Sequence, residues 1–477
     1  MFTITDESTM WYAALNAERT AYMGLEAIPA LPETTDRALA RAPKQPGVNR
    51  GTISNSPYAV DDDHLGTLVT LAQQGFRVNT RMLRFLAGIV EGETVLRQLA
   101  TLMVHQGEVV YSDTFFDWRG RVYTVSGEVG TLQVAKAMRA CMDAPEAVTP
   151  SAEDIEFMLD VFRHEGWALT VEDARSTIMA AKAAKWTDVD FMEVRAALAL
   201  IELDETGQTA YLLEQDATCS GFQHMALLGG DRELAAAVNA TWSDRRGDLY
   251  MEVAMLGGVA ETLSVTDRKA RGVCKTIVML TGYGAGAKMI GLSYFNTAGG
   301  FDFETIEEAE ESGETVEFYG MGRVTITDLV DWVRPIQKAL LKRFPVIRRL
   351  QNEAKAYFNE CAEAGTEFRW TMSDGFECIR VRLDASEESD DHTSPDGALP
   401  NIIHSLDGQT VRMVIRRWAN RAALGVVHDA FFTTVDKARE LRTVVQQAYA
   451  DVHADYGVNF PIQRRGRCMP IGMCIGV

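Results

Sequence analysis

The chain has 477 residues, 47% of them apolar and 24% charged, values typical of a globular protein with roughly three domains or lobes. Its net charge of −20, from 47 basic and 67 acidic residues, argues against binding of nucleic acid over the whole surface but allows a locally basic channel. No apolar run is long enough to cross a membrane, and the N-terminus lacks the pattern of a secretory signal. Seven scattered cysteines without a CxxC pair favour a reducing cytoplasm over structural zinc.

In chain order, the first 65 residues are predicted to form a helix, over 10–25, and a Pro-rich linker. Leucines recur at helical spacing between 64 and 105, with an interruption at 75–79. Helical patterns return at 131–202, 231–262 and 328–358, whereas 301–325 is acidic and predicted to be irregular. The acidic segment 386–397 is poor in apolar residues and is predicted to be a mobile loop.

A short strand is predicted over 122–125, entered through Gly120 with Arg119 and Arg121 on either side of that glycine. Guanidinium forks suit phosphate groups, which favours a nucleic-acid contact. A surface hairpin with solvated arginines explains the pattern equally well.

A single carboxylate, Asp216, stands where the buried strand predicted over 210–213 gives way to the small residues 217–221. Small residues let a ligand approach the backbone, and a carboxylate at a strand end is a common way to hold a divalent metal against phosphate. For a lone aspartate, a capped strand-to-helix turn remains the alternative.

A basic stripe is predicted on a helix that begins near Thr266 or Asp267, because Arg268, Arg271 and Lys275 fall within a narrow arc. The segment then changes to small, uncharged residues around Tyr283 and Gly284. A nucleoside triphosphate laid along this helix would place its phosphates on the basic stripe and its sugar near the tyrosine. A solvated basic face explains the stripe but leaves the change at the far end unexplained.

A second carboxylate, Asp429, is predicted at the tip of a strand-turn-strand over 424–435. If the fold brings Asp216 and Asp429 together, the two could bridge two Mg²⁺ ions. One ion would activate a 3′-hydroxyl and the other would neutralise a triphosphate and its pyrophosphate leaving group.

Five stretches, in this order along the chain, resemble the single-subunit DNA-dependent RNA polymerases of bacteriophages and mitochondria. They are residues 117–123, 215–224, 271–284, 401–408 and 427–431. The resemblance runs from about Gly75 to the C-terminal third. It implies RNA synthesis on a DNA template from ribonucleoside triphosphates, with two Mg²⁺ ions as cofactors.

The resemblance also implies a role for individual residues. The metal would be held by Asp216, Asp429 and the main-chain carbonyl of Ala217, which replaces a glycine of the family. Catalysis and nucleotide binding would involve Arg271, Lys275, Tyr283, Gly284, His404 and, by a weaker correspondence, Lys182. Tyr283 and His404 would sense the 2′-hydroxyl of the incoming sugar. Arg119, Arg121 and Tyr250 would contact the template or the hybrid.

The implied fold is α+β, mostly helical, and has the right-hand polymerase shape of palm, fingers and a reduced thumb. The predicted boundaries are an N-terminal extension and linker over 1–65, and a reduced thumb with N-terminal helices over 66–116. The first part of the palm, with a helical insertion, follows over 117–235. The fingers take 236–403, and the second part of the palm takes 404–477.

Besides Ala217, the chain departs from the family pattern in three ways. The segment before 117 is short, and the interval that carries a promoter-reading hairpin in the family is short and acidic at 387–391. Thr276 stands where a phage enzyme has a second basic residue. We therefore predict a compact member with a reduced N-terminal domain. Initiation would depend on single-stranded DNA, a factor that binds it, or a second phage-encoded subunit, in the cytoplasm of a host cell.

Two other functions remain open on the sequence alone. A primase-like or family A DNA polymerase is disfavoured by the small residues after Asp216 and by His404. A non-catalytic nucleic-acid-binding protein that kept the fold is disfavoured by both aspartates and by Arg271, Lys275 and Tyr283.

Overall fold

The computed structural model describes residues 61–91, 99, 102, 107–111, 114–124, 137, 139–241, 246–380 and 395–462. Its helices are α1 (Asp62–Ala72), α2 (Thr80–Ile89), α3 (Ala152–Glu165), α4 (Val171–Ala183), α5 (Phe191–Thr206), α6 (Ser220–Gly229), α7 (Arg232–Ala237), α8 (Leu249–Leu256), α9 (Val259–Leu263), α10 (Asp267–Gly282), α11 (Ala287–Gly299), α12 (Ile306–Glu311), α13 (Ile326–Arg343), α14 (Pro345–Glu363), α15 (Ala398–Trp418) and α16 (Ala438–Ala454). Its strands are β1 (Phe76–Val78), β2 (Val109–Val110), β3 (Thr114–Phe116), β4 (Val122–Thr124), β5 (Met142–Asp143), β6 (Leu212–Gln215), β7 (Val316–Glu317), β8 (Arg323–Val324), β9 (Phe368–Thr371), β10 (Glu377–Arg380), β11 (Gly425–Val427) and β12 (Ala430–Thr434).

The described residues are mostly helical with several small antiparallel sheets, which confirms the predicted α+β class. None of the described helices is long and apolar enough to span a membrane. The described cysteines, 141, 219, 274, 361 and 378, are buried free thiols. The helix predicted over 10–25, the linker after it and most of the acidic loop at 386–397 lie outside the described residues.

Side-chain caps determine where several helices begin. The hydroxyl of Thr266 accepts a hydrogen bond from the Lys269 N–H and caps α10, which confirms the predicted start of that helix. Reciprocal capping boxes open α3, between Ser151 and Asp154, and likewise α12 and α13. The capping box of α12 explains why the prediction of an irregular segment over 301–325 is wrong in part, since a short helix and the β7–β8 hairpin form there.

A three-stranded antiparallel sheet, in the order β11–β12–β6, joins two distant parts of the chain. In its register Phe431 pairs with Gln215 and Thr434 pairs with Leu212. The β11–β12 hairpin turns at 428–429, as the sequence predicts. Strand β6 ends at Gln215, two residues later than the apolar run suggests, so that Asp216 follows the strand directly.

The interruption at 75–79 in the N-terminal helical pattern is a strand. β1 lies between β2 and β5, so it forms the middle of a second small sheet. The sequence pattern did not reveal this strand because three residues are too few for an alternation to be recognised.

Helix α15 runs through the main hydrophobic core and packs against α1, α6, α14 and α16. Ile402, Leu406 and Val414 are fully buried on it. Because its neighbours include α6, which follows Asp216, this helix brings the predicted site residue His404 toward the same region.

A buried ion pair connects α15 to two loops. The Arg412 guanidinium donates from Nε to Asp374 Oδ2 at 2.7 Å and from Nη2 to Asp374 Oδ1 at 2.9 Å. Its Nη1 donates to the Gly120 carbonyl at 2.6 Å. Gly120 has φ +77°, and a Cβ there would collide with the same guanidinium. Burial opposes ionisation of Asp374, but Arg412 and His64 outweigh it and hold the pKa of the carboxyl well below its usual range.

Replacing Asp374 with asparagine should lower the free energy of unfolding by about 3 kcal/mol at pH 7, because the change leaves Arg412 buried without its counter-charge. Urea unfolding measures this. Since the folded-state pKa is lowered, the contribution is complete above about pH 4, the ordinary Asp value, and is lost as the pH falls further. Glu205→Gln, which removes the exposed pair with Arg81, should cost less than about 1 kcal/mol. Equal losses in the two variants would contradict the assignment.

Candidate active site

The β6–β12 register brings the two predicted aspartates together. Extending the pairing of Phe431 with Gln215 by one residue puts Asp216 opposite Ala430, next to Asp429. Asp429 lies in the hairpin turn beside His428, whose φ of +55° is tolerated by histidine better than by bulkier or β-branched residues. The sequence placed each aspartate at a strand end, and the sheet makes them neighbours.

The electrostatics of the pair reflect this closeness. Asp216 is open to solvent, yet protein atoms surround it on most sides, so it lies in a concave site. Burial and then repulsion from Asp429 and Glu214 raise the pKa of Asp216, while the Lys275 ammonium lowers it. Burial and then Asp407 raise the pKa of Asp429. The site concentrates more negative charge than its neighbouring cations neutralise.

The start of helix α6 adds donors beside this charge. The Ser220 side chain hydrogen-bonds to Asp429, which favours the ionised carboxylate. The residue before it, Cys219, has φ +64° and supplies no side-chain cap. The helix therefore presents its positive N-terminal end close to the aspartate pair.

The basic face of α10 extends from the aspartates over a buried tyrosine. The guanidinium of Arg271 lies 5.3 Å and the Lys275 ammonium 5.9 Å from the ring centre of Tyr250. Arg271 also donates from Nε to Asp248 at 2.5 Å. Tyr250 interacts through its hydroxyl with the Cys219 thiol. Arg271, Lys275 and Tyr250 thus form one layer next to Asp216.

The end of α10 meets α15 across the cleft. Tyr283 is 39% exposed, and its ring contacts that of His404 edge-on at 5.9 Å between centroids. Gly284 has φ +88°, and a Cβ there would lie 2.8 Å from the Asp396 carbonyl, so the corner requires glycine. Tyr283 and His404 therefore lie on facing elements, as the resemblance implies.

His404 is neutral and its tautomer is defined by Arg119. The Arg119 guanidinium donates from Nη1 to His404 Nδ1 at 2.8 Å. A guanidinium only donates, so Nδ1 is an acceptor and the ring proton is on Nε2. Burial and then the positive charges of Arg121 and Arg119 hold the pKa of His404 well below its usual range. The Nε2–H is then the one hydrogen-bond donor of the ring.

Both predicted template arginines are bound inside the protein. Arg119 forms an ion pair with Asp117, 2.6 Å from Nη2 to Oδ2, and also donates to Tyr123 at 3.3 Å. The Arg121 guanidinium lies 3.5 Å from Asp407, and its buried Nε has no hydrogen-bond partner among the described residues. Their contact with template stays a prediction. In the structure they line the inner wall of the site.

A buried polar chain behind Arg121 was missed by the sequence reasoning. His224 lies 3.0 Å from Asp407 and 2.8 Å from His453, which in turn lies 2.8 Å from the Tyr456 hydroxyl. Asp407 is ionised, because its bond to His224 and the charge of Arg121 outweigh burial and hold its pKa at about 2. Because an ionised carboxylate only accepts, His224 donates from Nε2 to Asp407, and the chain continues through His453 to the Tyr456 hydroxyl. The chain fixes the carboxylate that holds Arg121.

Two predicted residues contribute less to this arrangement. Ala217 is buried directly after Asp216, so its carbonyl lies in the right segment for the predicted metal role. Lys182 is exposed on the last turn of α4, a helix that packs mainly on α5. Its correspondence to a lysine near the triphosphate stays a prediction.

The aspartate pair fits a divalent cation with few protein ligands. Among the described residues, no group of three or more His, Cys, Asp or Glu side chains could hold a metal ion. Mg²⁺ is usually bound by one or two carboxylates together with water and substrate phosphates, which is what Asp216 and Asp429 offer. The raised pKa values of both carboxyls mark a charge that such a cation would relieve.

Asp216→Asn should stabilise the protein in EDTA by about 1 kcal/mol at pH 7, because it removes one of two like charges. Since the folded-state pKa of Asp216 is raised, the gain should grow as the pH rises above about 4. Thermal unfolding measures both effects. The control Glu205→Gln removes an exposed carboxylate outside the pair and should change the stability by less than about 1 kcal/mol. Destabilisation by Asp216→Asn would contradict the repulsion.

Comparisons with known proteins agree with the resemblance. The family model of DNA-dependent RNA polymerase matches residues 182–381 and 378–460, more than half of the chain. The mitochondrial DNA-directed RNA polymerase of Mus musculus is 24% identical over 279 residues, 51% of this chain and 21% of that protein. The mitochondrial DNA-directed RNA polymerase of Schizosaccharomyces pombe is 23% identical over 321 residues, 57% of this chain and 26% of that protein. The DNA-directed RNA polymerase of Pseudomonas phage phiKMV is 24% identical over 297 residues, 55% of this chain and 35% of that protein.

The chain therefore spans between about a fifth and about a third of the length of these relatives. Among solved structures, the POL domain of Pol1 from M. smegmatis, in complex with DNA primer-template and dNTP, aligns with 96% of this chain and 64% of that one. Its TM-score is 0.40 at 12% identity, a likeness too distant to support an inference. The family match, together with the phage and mitochondrial relatives, shows that the chain belongs to the family of single-subunit DNA-dependent RNA polymerases of the phage and mitochondrial type.

Proposed function

We propose that the chain synthesises RNA on a DNA template from ribonucleoside triphosphates by nucleotidyl transfer. The observation that carries the proposal is the β6–β12 pairing, which puts Asp216 beside Asp429 next to the basic face of α10. An anionic pair that can hold metal, adjacent to a cationic helix, matches the needs of phosphoryl transfer, where positioning and charge neutralisation supply most of the catalysis.

Asp216, Asp429 and the Ala217 carbonyl would hold two Mg²⁺ ions. When bound, these ions supply acidity to the 3′-hydroxyl of the growing RNA and counter-charge to the triphosphate. The protein side chains orient the substrate. The positive charge of Lys275 lowers the pKa of Asp216, so the two side chains are close. A triphosphate bound by Lys275 would therefore lie within reach of the two aspartates. Arg271 would exchange its bond with Asp248 for a phosphate oxygen.

Selection of ribose would depend on the Tyr283–His404 contact. The Nε2–H of His404 is a donor, and the Tyr283 hydroxyl both donates and accepts. A sugar that lacks the 2′-hydroxyl would leave at least one of these groups without its partner in a partly buried cleft, which disfavours the deoxynucleotide. Arg119 takes part indirectly, because it fixes the tautomer of His404.

The regions of the right-hand fold follow the same proposal. The sheet β11–β12–β6 would be the floor of the palm within 117–235 and 404–477, and α8 to α14 would form most of the fingers within 236–403. The helices over 66–116 would be a reduced thumb. Template contact by Arg119, Arg121 and Tyr250 rests on the resemblance, as does the need for single-stranded DNA or a second subunit at initiation.

Asp216→Asn and Asp429→Asn should each reduce extension of an RNA primer on a DNA template by about 1,000-fold or more, since each removes several kcal/mol of charge stabilisation. The assay supplies Mg²⁺ with either ribo- or deoxyribonucleotides. Glu205→Gln, an exposed carboxylate variant, should keep full activity. Preference for deoxynucleotides in the unmodified chain would select a DNA polymerase, and extension by neither would leave a non-catalytic binding protein.

Tyr283→Phe should relax discrimination between ribo- and deoxyribonucleotides by about 10-fold or more while slowing RNA synthesis much less, because only the hydroxyl is lost. Comparing kcat/KM for the two nucleotides measures this. Tyr319→Phe, an exposed tyrosine outside the cleft, serves as control. Unchanged discrimination in Tyr283→Phe would remove that hydroxyl from sugar selection.

A further inference from the structure

An open groove of about 660 Å³ lies where α13 and α14 meet. Its lining consists of Arg334, Gln337, Lys338, Leu341, Lys342, Pro345, Arg348, Arg349 and Asn352. Five of these nine residues are cationic and none is acidic. This concentration of positive charge contrasts with the net charge of −20 of the whole chain.

The cations form a continuous surface across the corner between the two helices. Arg334, Lys338 and Lys342 recur every fourth residue along α13, which places them in a row on one face. Arg348 ends the first turn of α14, which begins at Pro345, and Arg349 begins the second turn.

Most of this charge is not neutralised by the protein. Within the described part of the chain, Lys338, Lys342 and Arg348 form no ion pair. Arg334 pairs with the exposed Asp331, and Arg349 lies 3.9 Å from Glu353. By contrast, the neighbouring Arg343, outside the groove, is paired with both Glu233 and Glu252. Repulsion among the groove cations costs free energy that a bound polyanion would recover.

The lining chemistry favours a nucleic-acid backbone over bases. None of the nine lining residues is aromatic, so the described part of the chain offers no platform here on which a base could stack. Of its two amide side chains, Gln337 is already engaged, because Nε2 donates to Thr281 Oγ1 at 3.1 Å and to the Ala285 carbonyl at 2.8 Å. Lysine and arginine contacts to phosphate position a strand without reading its sequence.

Two contacts connect the groove to the candidate active site. Gln337 holds both sides of the α10 corner that carries Tyr283. Arg349 donates to the Gly229 carbonyl at 2.7 Å, at the end of α6 whose first residue, Ser220, bonds Asp429. With ten residues at 1.5 Å each, α6 separates groove and aspartates by about 15 Å. A strand in the groove would therefore belong to the same nucleic acid that is copied at the site.

We propose that this groove binds the sugar–phosphate backbone of the template DNA, independently of sequence. The inference rests on the proposed function for the identity of the strand. The binding itself depends on the groove cations alone.

The test compares the full chain with the triple variant Lys338→Gln/Lys342→Gln/Arg348→Gln. Fluorescence anisotropy measures the affinity of each protein for a labelled single-stranded DNA between about 50 and about 200 mM salt. Over this range the affinity of a protein that contacts phosphates falls steeply with salt. The slope of log K against log salt should become shallower by about 2, at about 0.7 per lost cation on a single strand. The affinity at the lowest salt should fall by about 10-fold or more.

The matched control Arg81→Gln/Arg163→Gln/Arg175→Gln removes three exposed cations outside the groove and should leave the slope unchanged. If the triple variant folds poorly, Lys342→Gln alone should still reduce the slope by about 0.7. Two DNA strands of unrelated sequence should be affected equally. Unchanged affinity and slope would overturn the inference. So would a loss of affinity for only one of the two DNA sequences, or a loss of affinity for an acidic peptide with none for DNA.

Primer extension keeps this test apart from that of the proposed function. The triple variant should keep its rate at saturating scaffold to within about 3-fold and show a raised KM for template, because its changes do not touch the aspartates. If the unmodified chain extends no primer, the proposed function fails. The comparison of DNA affinities still shows whether the groove cations bind DNA.

Discussion

The register between β6 and β12 is the constraint on which the candidate site depends. Side chains alternate along a strand, so a slip of one residue would turn every side chain of β6 to the opposite face and move Asp216 away from Asp429. The pairing is held by buried residues on both strands, among them Leu213 and Phe431. Because the strands come from segments more than 200 residues apart, the two carboxylates meet only in the folded protein.

The charge distribution resolves the apparent conflict between an acidic chain and a polyanionic substrate. The carboxylates of the site repel each other, which destabilises the folded state. Buried ion pairs elsewhere, such as Arg412 with Asp374, offset this destabilisation. Positive charge is concentrated on the α10 face and in the groove between α13 and α14. A substrate therefore meets locally basic surfaces, while the acidic excess lies on other parts of the chain.

Local sequence patterns predicted the individual elements of the site but not the long-range hydrogen bonds and ion pairs that connect them. The Thr266 cap, the hairpin around Asp429 and the glycine corner after Tyr283 are encoded within a few residues each, and the structure contains all three. The bond of His224 to Asp407 joins residues 183 apart, which no periodicity reveals. Arg119 and its neighbour Arg121 looked like surface phosphate ligands because the sequence does not show the partners that hold them inside. The groove was missed for the same reason: each of its helices alone looks ordinarily amphipathic.

The most direct measurement is an experimental structure of the chain grown with Mn²⁺, a primer-template and a non-reactive ribonucleotide, using the anomalous signal of manganese to locate bound ions. We predict anomalous density between the carboxylates of Asp216 and Asp429, and its loss in Asp429→Asn. Manganese bound elsewhere, with none between the two carboxylates, would contradict it.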